Sequence, residues 1–188
     1  NNVVYDVNDV MNGVCRIKQA IIRDKSFPGL SFMAASPRRS DTEITPLHMK
    51  VLCDKLKDLY DFVIVDAPAG MDENLLIAIG GADHIVLVIN PEIVSMRDGE
   101  MMTAFLNETG GNFQIHYLIN KLNLKLVRAG LAPSVEEVTR GMRGQVVGLI
   151  PYDENIHIST NLGVPIAFMP ESPIAQNFTR IAERVRSF

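Results

Sequence analysis

Two apolar runs, Phe62-Val63-Ile64-Val65 and Ile85-Val86-Leu87-Val88-Ile89, constrain the fold of this chain more than anything else in it. Neither alternates polar with apolar residues, so neither can lie with one face in water. Strands of this kind are covered on both faces, the condition of a parallel sheet packed between helices. Short runs of this type alternate with longer helical patterns, the signature of a βαβ series. The strands expected are residues 30–35, 62–65, 84–89, 115–119 and 146–150. Between them, residues 45–59 place Leu47, Val51, Leu52, Leu56 and Leu59 at helical spacing, with Pro46 suited to a first turn. Further helices are expected at 93–106 after Pro91, at 134–140 after Pro133 and at 173–186. The last carries Ile174, Phe178, Ile181, Ala182 and Val185 on one stripe, which reads as a core-docking face. The expectation is one doubly wound, mostly parallel α/β domain over residues 1–188.

Composition narrows the function classes. Of 188 residues, 47% are apolar and 21% charged, a globular balance with enough chain for one sizeable core. A net charge of -4 supplies no global field for nucleic acid or an anionic membrane, and Arg38-Arg39 reads as a solvated loop, so no nucleic-acid partner is expected. Cys15 and Cys53 form no CxxC and read as reduced core thiols in helical stretches, which fits a reducing cytoplasm. His48, His84, His116 and His157 are scattered without HxxxH spacing and are assigned no metal. No segment is apolar for the ~18 residues of a membrane span.

The strongest chemical signal is Val63-Ile64-Val65-Asp66-Ala67-Pro68-Ala69-Gly70. A carboxylate at the carboxyl end of a buried parallel strand stands where open α/β sheets bind ligands. In a nucleotide hydrolase such an aspartate accepts a hydrogen bond from water in the magnesium shell. A small-residue loop ending in Gly70 lets backbone N–H groups approach a terminal phosphate. The alternative for Asp66 is a strand-end residue that caps the next helix. Three further segments end strands: Asn90-Pro91-Glu92, Ile119-Asn120-Lys121 and Ile150-Pro151-Tyr152-Asp153. An Asn amide there can read a purine edge, since it offers donor and acceptor side by side. Each also has an ordinary reading as a turn proline, a capping asparagine or a surface aspartate.

In order and wording the chain resembles MinD-type ATPases of the deviant Walker A (ParA/MinD/NifH-like) group. Val3-Val4-Tyr5-Asp6 followed by Gln19-Ala20-Ile21-Ile22-Arg23-Asp24-Lys25 is similar to the stretch after that family's second strand. Ala34-Ala35-Ser36 with Arg39 resembles its "PAS…R", and Val65–Gly70 its "DSPAG". Glu92 with Arg97-Asp98 resembles "PE…RD", and residues 133–138 resemble "LSVEDV". Residues 148–151 and 159–166 resemble "GVIPED" and "STNxGEPV". The matches run collinearly over essentially the whole chain.

The resemblance implies ATP and Mg²⁺ as cofactors, Asp66 as the Walker B carboxylate that holds the metal through water, and Gly70 as a glycine facing the γ-phosphate. It implies that Asn120, Pro151 and Asp153 surround the adenine and that Glu92, Arg97 and Asp98 belong to a dimer and partner surface. It further implies an ATP-bound homodimer, a MinC-like division inhibitor and a MinE-like activator as partners, and a cytoplasmic protein peripheral on the inner face of the membrane. The pattern departs from the family in three places. No GxxxxGK[ST] or KGGxGK[ST] occurs, so the family's first strand, P-loop, helix and second strand are expected to precede Asn1, and this chain alone is expected not to hydrolyse ATP. Ala67 replaces the usual serine, and Tyr152 the usual acidic residue beside Asp153. The expected function is placement of the division septum. The alternatives are a flagellar-number or cargo-positioning relative and a non-catalytic partner-binding module.

Overall fold

A computed structural model describes residues 4–36, 44–140, 142–169 and 171–188. The Arg38-Arg39 pair, Val3 and the Arg39 of the family-like loop lie outside the described residues. The chain forms two compact units, Asn1–Ala82 and Asp83–Phe188.

The first unit opens with α1 (Val7–Met11) and α2 (Ile17–Ala20). Asp6 caps α1, its Oδ1 accepting from the amides of Asn8 at 2.9 Å and Asp9 at 3.1 Å, while Asp9 Oδ2 accepts from the Asp6 amide at 3.0 Å. This reciprocal pair satisfies donors that a helix start leaves open. Cys15 lies in the turn after α1 rather than in a helix, half-buried, whereas Cys53 is buried. Partial burial, then the carboxylates of Asp9 and Asp6, push the Cys15 thiol pKa up, so it stays protonated.

The strand expected at 30–35 is reduced to β2 (Ser31–Phe32), which pairs antiparallel with β1 (Ile22–Arg23) as a hairpin. Asp24 decides this. Its Oδ1 accepts from the amides of Ser26 and Phe27 at 2.8 and 2.9 Å, and its own amide donates to the Leu30 carbonyl at 2.9 Å, turning the chain back at Pro28-Gly29. Next come α3 (Pro46–Lys57), with Pro46 in its first turn as expected, and α4 (Glu73–Ala78). The expected strand at 62–65 is a second correction: these residues join no ladder among the described residues, and Phe62 and Ile64 are 51% and 88% exposed. An apolar run makes a strand only where a neighbour takes its backbone groups.

The second unit contains the parallel sheet. β3 (His84–Ile89), β4 (Gln114–Leu122) and β5 (Gln145–Pro151) lie side by side in that order, all parallel. Between them run α5 (Ile93–Glu108), α6 (Leu124–Arg128) and α7 (Val135–Thr139). After β5 come α8 (Glu154–Asn161), a 3-10 turn at Ile166–Phe168, and α9 (Pro173–Val185). One sheet face carries Ile89, Tyr117 and Ile119, which pack with Val138 of α7 and Met96 of α5. The other face receives α9, because Gly148 leaves room against β5 that the Ile181 side chain fills. Of the expected stripe Ile174 is buried, Phe178, Ile181 and Val185 are half-buried and Ala182 is exposed, while Ala175 beside Ile174 is buried as well. Helices on both faces of the parallel sheet make this unit doubly wound α/β, although on β3 itself the face of Val86 and Val88 is left 37% and 58% exposed, short of the cover its apolar run predicts.

Candidate functional site

The Asp66 loop belongs to the first unit. Asp66 is exposed and makes no hydrogen bond or ion pair among the described residues. The cap of the following helix is a different carboxylate. Asp72 Oδ1 accepts from the amides of Asn74 and Leu75 at 2.9 and 3.3 Å, which removes the capping alternative for Asp66. Between the two lies Gly70 at φ +119, a backbone angle that L side chains rarely adopt. A Cβ at Gly70 would meet nothing closer than Asp72 Oδ2 at 3.9 Å, so the glycine serves backbone conformation and not packing. The loop thus offers a carboxylate that the fold does not use, followed by a turn whose amide is bare of side-chain cover.

Four of the remaining candidates stand at or just past the carboxyl ends of the parallel strands in the second unit. Asn120 is half-buried near the end of β4, next to Lys121, which holds φ 54 where the register with β5 shifts. A lysine in the left-handed region is uncommon and marks a backbone held by its surroundings. Asn120 does not cap a helix. That is done by Asn123, whose Oδ1 accepts from the amides of Lys125 at 3.1 Å and Leu126 at 3.3 Å. Pro151 closes β5 in register with Leu122, and the Tyr152 amide donates to the Leu122 carbonyl at 3.0 Å. Asp153 caps α8, its Oδ1 accepting from the Asn155 amide and side chain, both at 2.8 Å; Oδ2 stays outside that cap. Glu92 opens α5 after β3 and makes no side-chain cap bond. Glu92, Arg97 and Asp98 are all exposed, together with Ile93 at 65% and Val94 at 70%. The opposite side of that helix is anchored, Gly99 being buried beside Ile89.

No protein-family profile matches the chain. It is 36% identical over 166 residues to the putative septum site-determining protein MinD of Guillardia theta, covering 88% of this chain and 61% of that protein. With the septum site-determining protein MinD of Helicobacter pylori it shares 32% identity over 191 residues, 98% of this chain and 71% of that protein. The chain belongs to the MinD family. It spans less than two thirds of the length of the first of these MinD relatives. Solved MinD structures agree in fold. The MinC:MinD cell division protein complex of Aquifex aeolicus matches with a TM-score of 0.89 and 27% identity over 100% of this chain and 75% of that one. MinD complexed with Mg-ADP from Pyrococcus horikoshii matches with a TM-score of 0.81 and 25% identity over 98% and 74%.

Within this MinD-family frame, two features escaped the sequence. Asp72 rather than Asp66 is the helix cap, which the pattern of Asp72 ahead of Glu73-Asn74-Leu75 could have signalled. His84 and His116, scattered in sequence, approach to 3.1 Å. Only strand register could reveal that pair.

Proposed function

We propose that this chain is part of an ATP-dependent regulator of division-septum placement, and that the Asp66–Gly70 loop serves its magnesium and terminal phosphate. The observation that carries this reading is the unused carboxylate of Asp66, released from capping by Asp72 and followed by the positive-φ turn at Gly70. Mg-ATP, when bound, supplies the transferable phosphoryl group and the cation that neutralises its charge. Asp66 would hold the metal through its bound water, and the Gly70 amide would serve the terminal phosphate. Asn120, Pro151 and Asp153 would serve the adenine, Asn120 through its side-chain amide and Asp153 through Oδ2, the oxygen its helix cap leaves over. The Mg-ADP complex of the Pyrococcus relative supports this choice of nucleotide and metal.

No GxxxxGK[ST] motif occurs in these 188 residues, so this stretch by itself does not supply the phosphate cradle or the hydroxyl metal ligand of the proposed ATPase. ATP turnover is accordingly proposed for the intact protein and not for this stretch alone. Glu92, Arg97 and Asp98, with exposed Ile93 and Val94, form the proposed dimer and partner surface of α5. The MinC:MinD complex from Aquifex supports a MinC-like inhibitor as that partner. An ATP-bound homodimer, a MinE-like activator and peripheral attachment to the inner membrane face complete the proposal.

The test is Mg-dependent ATP binding and turnover in the intact protein. Asp66→Ala should abolish the magnesium dependence and lower turnover by about two orders of magnitude or more, the scale at which a positioned electrostatic group acts. Wild-type turnover and magnesium dependence in the Asp66→Ala protein would refute the assignment.

A further inference from the structure

We propose that His84, His116 and Phe188 form a clasp, released by protons, that pins the end of α9 to the amino-terminal edge of the parallel sheet. The ladder pairs Val86 with His116, which puts His84 two residues along β3 on the same sheet face. His84 Nδ1 and His116 Nε2 are 3.1 Å apart. The Phe188 ring lies over both imidazoles, stacked on His116 at 3.9 Å between centroids and 11° between planes, and on His84 at 4.7 Å and 24°. His116 is 4% exposed, and its Nδ1 is buried with no hydrogen-bond partner among the described residues.

That orphaned atom selects the tautomers. An unpaired buried N–H is rarer than an unpaired acceptor, so His116 Nδ1 carries the lone pair and His116 Nε2–H donates to His84 Nδ1. No further proton then enters without loss. On His84 Nδ1 it removes the acceptor of the shared hydrogen bond, and on His116 Nδ1 it charges a ring shielded from water. On β5 the residue in register with His116 is the neutral Gln145. On β3, Asp83 precedes His84, and its carbonyl accepts from the Gln114 amide at 2.9 Å. The charged residues of the last turns of α9 are Glu183, Arg184 and Arg186, and Arg184 Nη1 donates to the Val147 carbonyl at 2.9 Å.

Burial first, and the charge of His84 second, hold the His116 pKa below the ordinary imidazole value. A folded-state pKa lying below the unfolded one means that closure is fully present above about 6.5, and is lost as pH falls through the lower folded value. An imidazolium under a phenyl ring is also attracted to it, which works the other way. The direction of the pH effect therefore separates the two forces.

The test uses the intact protein. Amide hydrogen exchange at residues 183–188, corrected for intrinsic rates, should rise severalfold between about pH 7.5 and 5.5, the direction that a folded-state pKa below the unfolded one dictates. Exchange in β5 should stay unchanged. His84→Gln, which keeps donor and acceptor but does not titrate, should shrink the step, and Phe188→Leu should raise exchange at both pH values. Independently of any variant, the His116 Hε1 resonance should titrate below the ordinary ~6.5. A flat exchange profile, slower exchange in acid, or a His116 midpoint at or above the ordinary value would each overturn the proposal.

Discussion

Asp66 and Asp72 bracket one loop and are used differently, which makes them a matched pair for experiment. Asp72 holds two backbone amides of α4, so Asp72→Ala should cost about 1 kcal/mol of stability in a urea titration of the intact protein. Asp66 holds nothing, so Asp66→Ala should stay within about 0.5 kcal/mol while nucleotide affinity falls. Equal destabilisation by both would mean that Asp66 has a structural partner and is not a spare carboxylate. Gly70→Ala forces a side chain onto φ +119 and should cost about 1–3 kcal/mol, with a parallel fall in ATP turnover. At this scale the sequence was informative about residue type: it singled out Asp66, Gly70 and Asn120 from their setting at the ends of apolar runs. It could not say which carboxylate the fold would consume, because capping depends on where the helix starts, and α4 begins only at Glu73.

The element scale is decided by what each apolar run finds beside it. Residues 84–89 were legible to the residue, because β3 has β4 beside it and a helix that reaches its far end through Gly99. Residues 62–65 carry an equally apolar pattern and form no ladder among the described residues, so pattern alone does not make a strand. The hairpin of β1 and β2 was missed because Asp24 acts through three hydrogen bonds that no periodicity encodes. The seat of α5 is polar as well as apolar. Thr103 Oγ1 donates to the Gly99 carbonyl at 2.7 Å, so the buried Tyr117 hydroxyl, 3.1 Å away, is the donor to Thr103. Thr103→Val strands that hydroxyl and should cost about 1–3 kcal/mol by thermal or urea unfolding. Adding Tyr117→Phe should recover part of the loss. Full additivity of the two changes would show that the hydroxyls do not interact.

On the scale of the molecule, the MinD-family fold rests on agreement with solved relatives over the full chain, and among the described residues no helix is long and apolar enough to cross a membrane. Apolar surface is nevertheless left in the open. Phe62, Ile64, Val86 and Val88 are 51%, 88%, 37% and 58% exposed, and β3 is an edge strand. Edges with apolar side chains pair with other chains unless covered. The 188-residue stretch expressed alone should therefore self-associate at micromolar concentration in light scattering, while the intact protein without nucleotide should not. A monodisperse monomer of the isolated stretch would show that these surfaces are covered without help. What the sequence by itself determined is the α/β class, the family and the strand-end positions of Glu92, Asn120, Pro151 and Asp153, though not that of Asp66, because hydrophobic periodicity and motif wording are local properties of the chain. Tertiary structure alone decided that Asp72 caps, that Asp24 builds a hairpin and that His84 meets His116, because each depends on which backbone groups and strands come to lie side by side.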